Sequence, residues 1–249
     1  AEDTPPHDNT PRGKVAHYAW GLDYHQVMER RLRLLVRGLS ERLRQDIQAR
    51  VYVDTGPMLD RAVAERAGLG WYGKSTNILT HSHGSWVLLG QVVTDLELEP
   101  DKPLKKSCGQ CTLCIDRCPT GAIVAPYVVD NARCISYLTI ENRGPIPRHL
   151  RPLVGDWVFG CDICQEVCPA NRKARPTREP AFQMGEHGFP TLELSPLLKM
   201  TEEEFRKRFR HSPIKRAKWA GLLRNVCVAL GNTGDSRAVP SLTEALRHD

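Results

Sequence analysis

Apolar residues recur at intervals of three and four through Val27, Met28, Leu32, Leu35, Leu39 and Leu43, which predicts one helix over 24–44 with a single apolar face. Asp23, with Gln26 three residues on, forms a capping pair at its start, so the Asp23 carboxylate has an ordinary structural use. A short apolar run at 50–53 predicts a strand that ends at Asp54-Thr55-Gly56-Pro57. Residues 58–67 then read as a second helix closed by Gly68, with Asp60 exposed on it. Residues 77–80 and the near-continuous apolar run 85–94 flank His81-Ser82-His83-Gly84, a turn signal, and together predict a hairpin. Polar, proline-containing stretches at 1–15 and 172–194 predict loops, and 97–106 predicts a linker. Residues 195–200 predict a helical turn. Thr201 with Glu204 is a capping box that opens a helix to His211. Ser212-Pro213 opens the next helix, whose stripe is Ala220, Leu223, Val226, Cys227 and Leu230 and which Gly231 closes; Val239, Leu242 and Leu246 mark a last one.

The two final helices resemble one HEAT repeat, which cannot stand alone and must pack on what precedes it. The 249 residues suffice for one large domain or two to three small ones. The division expected is 1–104, an α+β domain; 105–175, a cysteine-rich domain with an insert; and 176–249, a basic helical region. The net charge of +6 is gathered in the last third, at Arg206, Lys207, Arg208, Arg210, Lys215, Arg216, Lys218 and Arg224. Charge alone fits a solvated helical surface as well as an anionic partner. No apolar run is long enough for a membrane span, and no secretory leader is visible, so a cytoplasmic protein is expected.

The cysteines change this picture most. CGQCTLCIDRCP has the C-x2-C-x2-C-x3-C-P spacing of a two-cluster bacterial ferredoxin, in which the fourth cysteine serves the other cluster. CDICQEVCP repeats the run but lacks its first cysteine, for which Cys134 is the replacement. This assigns one [4Fe–4S] cluster to Cys108, Cys111, Cys114 and Cys168 and a second to Cys118, Cys134, Cys161 and Cys164. Zinc sites also use C-x2-C pairs, but zinc needs no interleaved runs each closed by x3-C-P. Disulfides suit short secreted domains. The ninth cysteine, Cys227, reads as a small buried hydrophobe. The long insert around Cys134 is more than a ferredoxin needs and is expected to cover another cofactor or meet a partner.

Asp54, a carboxylate at a strand end before a Gly-Pro turn, is a candidate active-site residue, although a helix N-cap would look the same. The letters Gly68 to Ser75 fit a phosphate-binding loop, but no strand leads in and no helix follows, so nucleotide binding is not expected.

GLDYH at 21–25, VDTGP at 53–57, ERAGLGWYGKST at 65–76, GSWVLLG at 84–90, CISYLTIE at 134–141 and GCDICQEVCP at 160–169 carry a joint resemblance. With the basic HEAT-like tail they resemble the epoxyqueuosine reductase family, cobalamin-dependent iron–sulfur enzymes of tRNA modification. The resemblance covers nearly the whole chain and implies a further N-terminal segment ahead of Ala1. It implies a nitroreductase-like cobalamin domain, a ferredoxin-like domain with two [4Fe–4S] clusters that feed the cobalt, and C-terminal HEAT-like helices. The implied reaction removes the epoxide oxygen of epoxyqueuosine as water, at the wobble position of a tRNA, the last step to queuosine. Nothing in composition or spacing shows cobalamin.

Residue by residue, Asp54 matches the family's proton donor, expected as a partly buried carboxyl with a raised pKa. Asp23 and His25 match positions that line the same cavity. Lys74, Ser75 and Ser136 are candidate corrin contacts. Arg143, Arg148, Lys215, Arg216, Lys218 and Arg224 are candidate phosphate contacts to the anticodon stem-loop. The implied partners are a tRNA and an external electron donor, and the implied state is a monomer. Two other readings remain at this point: a cobalamin-dependent reductive dehalogenase, which needs no basic tail, and a non-enzymatic two-cluster electron carrier, which needs neither 1–104 nor the insert.

Overall fold

Val15 and Ala16 are almost fully buried, and their burial makes a strand of a segment whose polarity predicts a loop. This strand, β1 (Arg12–Val15), opens the computed structural model of the chain, which describes residues 10–183 and 189–247. The rest of the predicted N-terminal loop, 1–9, and residues 184–188 of the second loop lie outside the described residues.

The long helix α1 (Tyr24–Leu43) follows the predicted period closely. Asp23 caps it through the backbone N–H of His25, and Gln26 does not complete a box. Its apolar stripe is only half covered: Leu35 and Leu43 are each 53% exposed, while Met28 and Leu32 close on Gly90. Strand β2 (Ala49–Tyr52) and helix α2 (Asp60–Arg66) come next. Asp60 is half-buried rather than exposed, because Gln91 donates a hydrogen bond to its carboxylate.

The predicted hairpin is reduced to one antiparallel bridge, between Thr80 and Gly84. β3 (Trp71–Tyr72) pairs antiparallel with β4 (Ile78–Leu79) across the Gly73–Asn77 turn. The apolar run after Gly84 becomes a strand only at β5 (Gln91–Thr94), which pairs with β2. The cause is a competing tertiary contact. Asn171 accepts from the Ser85 N–H at 2.7 Å and donates to Ser85 Oγ at 2.8 Å, which holds the start of the run away from β4. Gly84 has φ +56, and a Cβ there would sit 1.8 Å from Asn171 Oδ1, so the approach requires glycine.

The cysteine region contributes α3 (Leu113–Asp116), the ribbon β6 (Ile123–Ala125) and β7 (Val128–Val129), α4 (Ile135–Ile140), α5 (Arg151–Val154), β8 (Trp157–Phe159) and α6 (Ile163–Glu166). After it come β9 (Thr191–Glu193), again a strand in a predicted loop, then α7 (Leu194–Leu198), α8 (Glu202–Arg208), α9 (Trp219–Thr233) and α10 (Val239–Ala245). The predicted helix from Pro213 is two pieces, a 3-10 turn to Ala217 and α9, separated by Lys218 at φ +64; α9 ends at Gly234, not Gly231. The capping box at Thr201 and Glu204 is present.

β1 is the middle strand of a three-stranded sheet, parallel to β8 and antiparallel to β9. The sheet therefore draws one strand from the start of the chain, one from the cysteine region and one from the segment after it. The main core lies between this sheet and α7, α8 and α9, with Val158, Phe159, Leu194, Phe209, Ile214 and Val226 fully buried. A second cluster, Ile135, Leu138, Ile146, Leu150, Val154 and Trp157, belongs almost entirely to the insert. The insert is thus core-forming, and two side chains of α9 bind it there. Buried Asn225 donates to the carbonyls of Thr139 and Val158 at 2.7 and 2.8 Å. Arg224 donates to the carbonyls of Leu138, Asn142 and Gly144 at 2.7, 2.7 and 2.6 Å.

Arg224→Ala leaves those carbonyls without their cation in a half-buried place and is expected to destabilise the fold by about 2 kcal/mol, read as a lower urea midpoint at unchanged slope. An unchanged midpoint would show the staple to be dispensable. Among the described residues no helix is long and apolar enough to cross a membrane.

Candidate active site

The two cysteine runs are held by matching pieces of backbone. Cys114 lies on the short helix α3 and Cys164 on α6, and the two helices pack against each other. Cys118 and Cys168 follow these helices, Cys108 and Cys111 precede α3, Cys161 follows β8, and Cys134 is the N-cap of α4. All nine thiols are free and partly buried.

Burial raises the Cys114 thiol, with Cys108, Cys168 and Cys111 adding to the rise; Cys168 is raised by burial and then by Cys108 and Cys111. Burial also raises Cys161, with Cys164 and Cys134 adding to it. Cys164 is pushed up to about 12 by burial, then by Cys134, Cys114, Asp162 and Cys118. The mutual influence falls largely into two groups, with Cys114 and Cys164 as neighbours across the divide. So many thiolates cannot be gathered bare; a bound cationic centre would have to supply the missing positive charge. Among the described residues no three His, Cys, Asp or Glu side chains are close enough to hold a single ion.

Side chains and backbone reach two sulfurs of the second group. Asn77 Nδ2 donates to Cys164 Sγ at 3.8 Å, the Ala122 N–H to Cys118 Sγ at 3.3 Å, and Thr120 Oγ1 lies 3.7 Å from the same sulfur. Asp162, between Cys161 and Cys164, is buried and accepts from both the backbone N–H and Nδ1 of His17 at 2.6 Å.

Beside these thiols lies a cavity of about 560 Å³, lined by Ser75, Asn77, Cys118, Cys134, Cys161 and Cys164 among others. It adjoins a wider cleft of about 1190 Å³. Tyr18, Arg61, Asn131, Cys134 and Ser136 line both. Asp23, Tyr24, His25 and Asp54 line the wide cleft, with Lys215, Arg216 and Lys218 on the wall opposite in sequence.

Asp54 stands at the cleft rim with φ +58, a conformation costly for a residue with a side chain and common at functional sites. Its side chain is 60% exposed, so the partial burial expected of it is absent. The loop it begins stands clear of the core. What surrounds the carboxylate instead is a polar chain. Tyr24 Oη donates to Asp54 Oδ2 at 3.0 Å, and His25 Nε2 lies 3.6 Å from the same oxygen. His25 Nδ1 meets Asp23 Oδ1 at 2.8 Å, and Lys215 Nζ meets Asp23 Oδ2 at 2.9 Å. Burial alone would raise the Asp23 carboxyl, but hydrogen bonds from Lys215 and His25 and the Lys215 charge bring it below the usual range. It is held ionised, and it fixes the His25 ring so that Nε2, buried and without a hydrogen-bond partner, points toward Asp54.

The remaining predicted contacts divide. Ser75 and Ser136 line the cavities, whereas Lys74 lines neither and donates to Gly109 O at 2.7 Å. Lys215 is engaged by Asp23, and Arg216 pairs with Glu141 at 2.8 Å. Arg143 donates to the carbonyls of Ile140, Arg216 and Ala217, and Arg224 is half-buried and engaged in the staple described above. Lys218 in the cleft and Arg148 on the surface have no ion pair or side-chain hydrogen bond among the described residues. Sequence reasoning missed Tyr24, Asn77 and Arg61. Tyr24 was visible only as the residue between Asp23 and His25, Asn77 only as one of the polar residues beside the glycines at 68–73, and nothing local marked Arg61.

Thiols enough for two clusters, opening onto a cleft with a carboxylate at its rim, define an iron–sulfur oxidoreductase. The family model of a 4Fe-4S double cluster binding domain matches residues 107–171, and that of "Epoxyqueuosine reductase QueG, DUF1730" matches 1–55. The chain is 46% identical over 215 residues to the epoxyqueuosine reductase of Synechocystis sp., covering 86% of this chain and 74% of that one. Among solved structures, the epoxyqueuosine reductase of Bacillus subtilis, described with its catalytic aspartate loop swung out of the active site, superposes with a TM-score of 0.91 at 37% identity. That match covers 100% of this chain and 65% of the other. An epoxyqueuosine reductase crystallised with a tRNA-Tyr epoxyqueuosine-modified stem loop matches with a TM-score of 0.91 at 38% identity, over 98% of this chain and 64% of that one. The chain belongs to the epoxyqueuosine reductase family. It spans a little under two thirds of these two solved relatives.

Proposed function

We propose that this chain reduces epoxyqueuosine to queuosine in tRNA, with two [4Fe–4S] clusters supplying electrons to a cobalamin. The observation that carries the reading is the junction at Cys134 and Ser136. The cavity beside Cys118, Cys161 and Cys164 opens there into the cleft whose rim holds Asp54. Family membership favours it over a dehalogenase or a bare electron carrier. On this reading the cluster ligands divide as their spacing predicts, Cys108, Cys111, Cys114 and Cys168 against Cys118, Cys134, Cys161 and Cys164. The N-terminal part has a nitroreductase-like role and the C-terminal helices a HEAT-like one. The protein works where tRNA is, in the cytoplasm.

The two adjoining cavities have the volume and the mixed polar and apolar lining that a corrin with amide arms requires. Ser75, Ser136 and Asn77 would hold the corrin amides. Bound there, cobalamin supplies a low-potential reducing centre for breaking the carbon–oxygen bond. Losing the epoxide oxygen as water takes two electrons and two protons and leaves a C=C bond, and the protons are the chain's own task. Asp54 Oδ2 is held by Tyr24, which leaves Oδ1 to deliver a proton to the departing oxygen. His25 Nε2, aimed at Asp54 by Asp23, returns a proton to the carboxylate for the second transfer. The corresponding catalytic loop of the Bacillus subtilis protein has been seen swung out of its active site, and the exposed Asp54 loop would move in the same way.

Recognition of the stem loop falls on the cations that remain free in the cleft. Lys218→Glu is expected to weaken binding of an epoxyqueuosine stem loop about tenfold at low salt and to flatten the salt dependence by about one unit of slope. Fluorescence anisotropy measures both; an affinity equal to wild type would remove Lys218 from the interface. The proposal as a whole is tested by two measurements on the holoprotein: corrin bands beside cluster absorption in the visible spectrum, and conversion of an epoxyqueuosine-containing stem loop. Cluster absorption without corrin bands, together with no conversion, would return it to an electron carrier.

A further inference from the structure

The two groups of thiols differ in depth. Gly160, Asp162 and Ile135, next to Cys161 and Cys134, are buried, whereas Ser107, Gly109, Gln110 and Thr112, around Cys108 and Cys111, are exposed. Electrons from outside therefore meet the Cys108 group first. The surface around that group is basic. Lys105 and Lys106 precede Cys108, and Arg172, Lys173 and Arg175 follow Cys168. All five are exposed.

The fold brings the two stretches onto one turn. Lys106 Nζ lies 3.3 Å from His81 Nδ1 and 4.3 Å from the centre of the Trp71 ring, and the Arg175 N–H donates to the neighbouring Ser82 carbonyl at 2.9 Å. Over residues 101–117 and 166–179 there are eight Lys and Arg against four carboxylates, one of which, Glu179, is already held by Arg31. The side chains of Lys105, Arg172, Lys173 and Arg175 have no ion pair or hydrogen bond among the described residues. Of the cations predicted to meet an RNA, Arg143, Lys215, Arg216 and Arg224 are, by contrast, committed inside the protein. Unspent positive charge is therefore gathered where electrons enter.

We propose that Lys105, Lys106, Arg172, Lys173 and Arg175 form the docking surface for an acidic one-electron carrier protein that reduces the Cys108 group. The proposal rests on the iron–sulfur reading above. Each encounter oxidises the carrier by one electron and reduces one cluster by one electron, with no proton transferred. Two encounters match the two electrons that each epoxide requires. Opposite charge steers such encounters and raises their rate tenfold to a thousandfold at low salt. A tRNA is also an anion, but its modified base must reach the Asp54 cleft, whereas this patch surrounds the entry cysteines.

The test is anaerobic stopped-flow reduction of the holoprotein by a reduced plant-type [2Fe–2S] ferredoxin of net negative charge, with dithionite as the second reductant. The triple variant Lys105→Glu, Lys173→Glu, Arg175→Glu should show cluster absorption equal to wild type and the same extent of bleaching by dithionite. Its rate with ferredoxin should fall at least tenfold at low ionic strength and lose its salt dependence, while stem-loop affinity stays unchanged. An unchanged ferredoxin rate in a protein with normal cluster absorption overturns the docking surface alone. Weakened stem-loop binding with an unchanged ferredoxin rate overturns it in favour of RNA. Absence of cluster absorption in the wild-type protein sinks the iron–sulfur reading and this surface with it.

Discussion

Asp54→Asn is expected to slow conversion of an epoxyqueuosine stem loop by about a hundredfold to ten-thousandfold, the range lost when a positioned general acid is removed. Asparagine keeps the size of the side chain and still accepts from Tyr24 through its amide oxygen, but it has no proton to give. Since Asp54 is 60% exposed and touches no cysteine, the substitution should leave cluster absorption and stem-loop affinity at wild-type values. The effect therefore belongs on the chemical step, and single-turnover kinetics on pre-reduced protein isolate it. A single-turnover rate within threefold of wild type would show that the proton reaches the departing oxygen from elsewhere. His25 offers a graded comparison. It lies behind Asp54 rather than at the open face, so His25→Gln should cost less than Asp54→Asn under the same assay.

Cys134→Ala should have an equally large effect by a different route. Cys134 is the one proposed ligand that stands outside both runs, and it is the N-cap of α4 in the insert. Removing it takes one thiolate from the group of Cys118, Cys161 and Cys164 and leaves one iron corner of that cubane without a protein thiolate, open to loss of iron. Iron per chain should fall by roughly half and turnover with the stem loop should be abolished. The first group, which shares no ligand with Cys134, should keep its own absorption. Cys227→Ala is the control, since Cys227 packs beside the α9 core away from either group, and it should retain full iron content. If Cys134→Ala kept its full iron while Cys227→Ala lost half, the assignment of the eighth ligand would be reversed.

Local signals carried much of the secondary structure and missed where chain segments meet. Helix α1 was legible to within a residue because its period of three and four is a property of one stretch. The capping box at Thr201 and Glu204 was legible for the same reason. β1 and β9 were not, because each is a strand only in the company of the other and of β8; their polar residues spell a loop until Val15 and Leu192 are buried against α9 and α7. The hairpin misreading has the same origin. The run after Gly84 has strand composition, and the contact that redirects it comes from Asn171, far along the chain.

The candidate site divides along the same line. The sequence by itself determined the double-cluster domain, because cubane ligation needs thiolates at short, fixed spacings that are written directly into a chain. It also marked Asp54, Asp23 and His25 as a set through short motifs. Only the tertiary structure decided what the charged residues do. A lysine or arginine reads the same in sequence whether it is free or paired. Folding placed Lys215 on Asp23, Arg216 on Glu141 and Arg224 on the carbonyls of the insert, and left Lys218, Lys105, Arg172, Lys173 and Arg175 without a side-chain partner among the described residues. Ion pairs and cleft walls form between segments distant in the chain, so composition counts the charges and the fold alone assigns their partners.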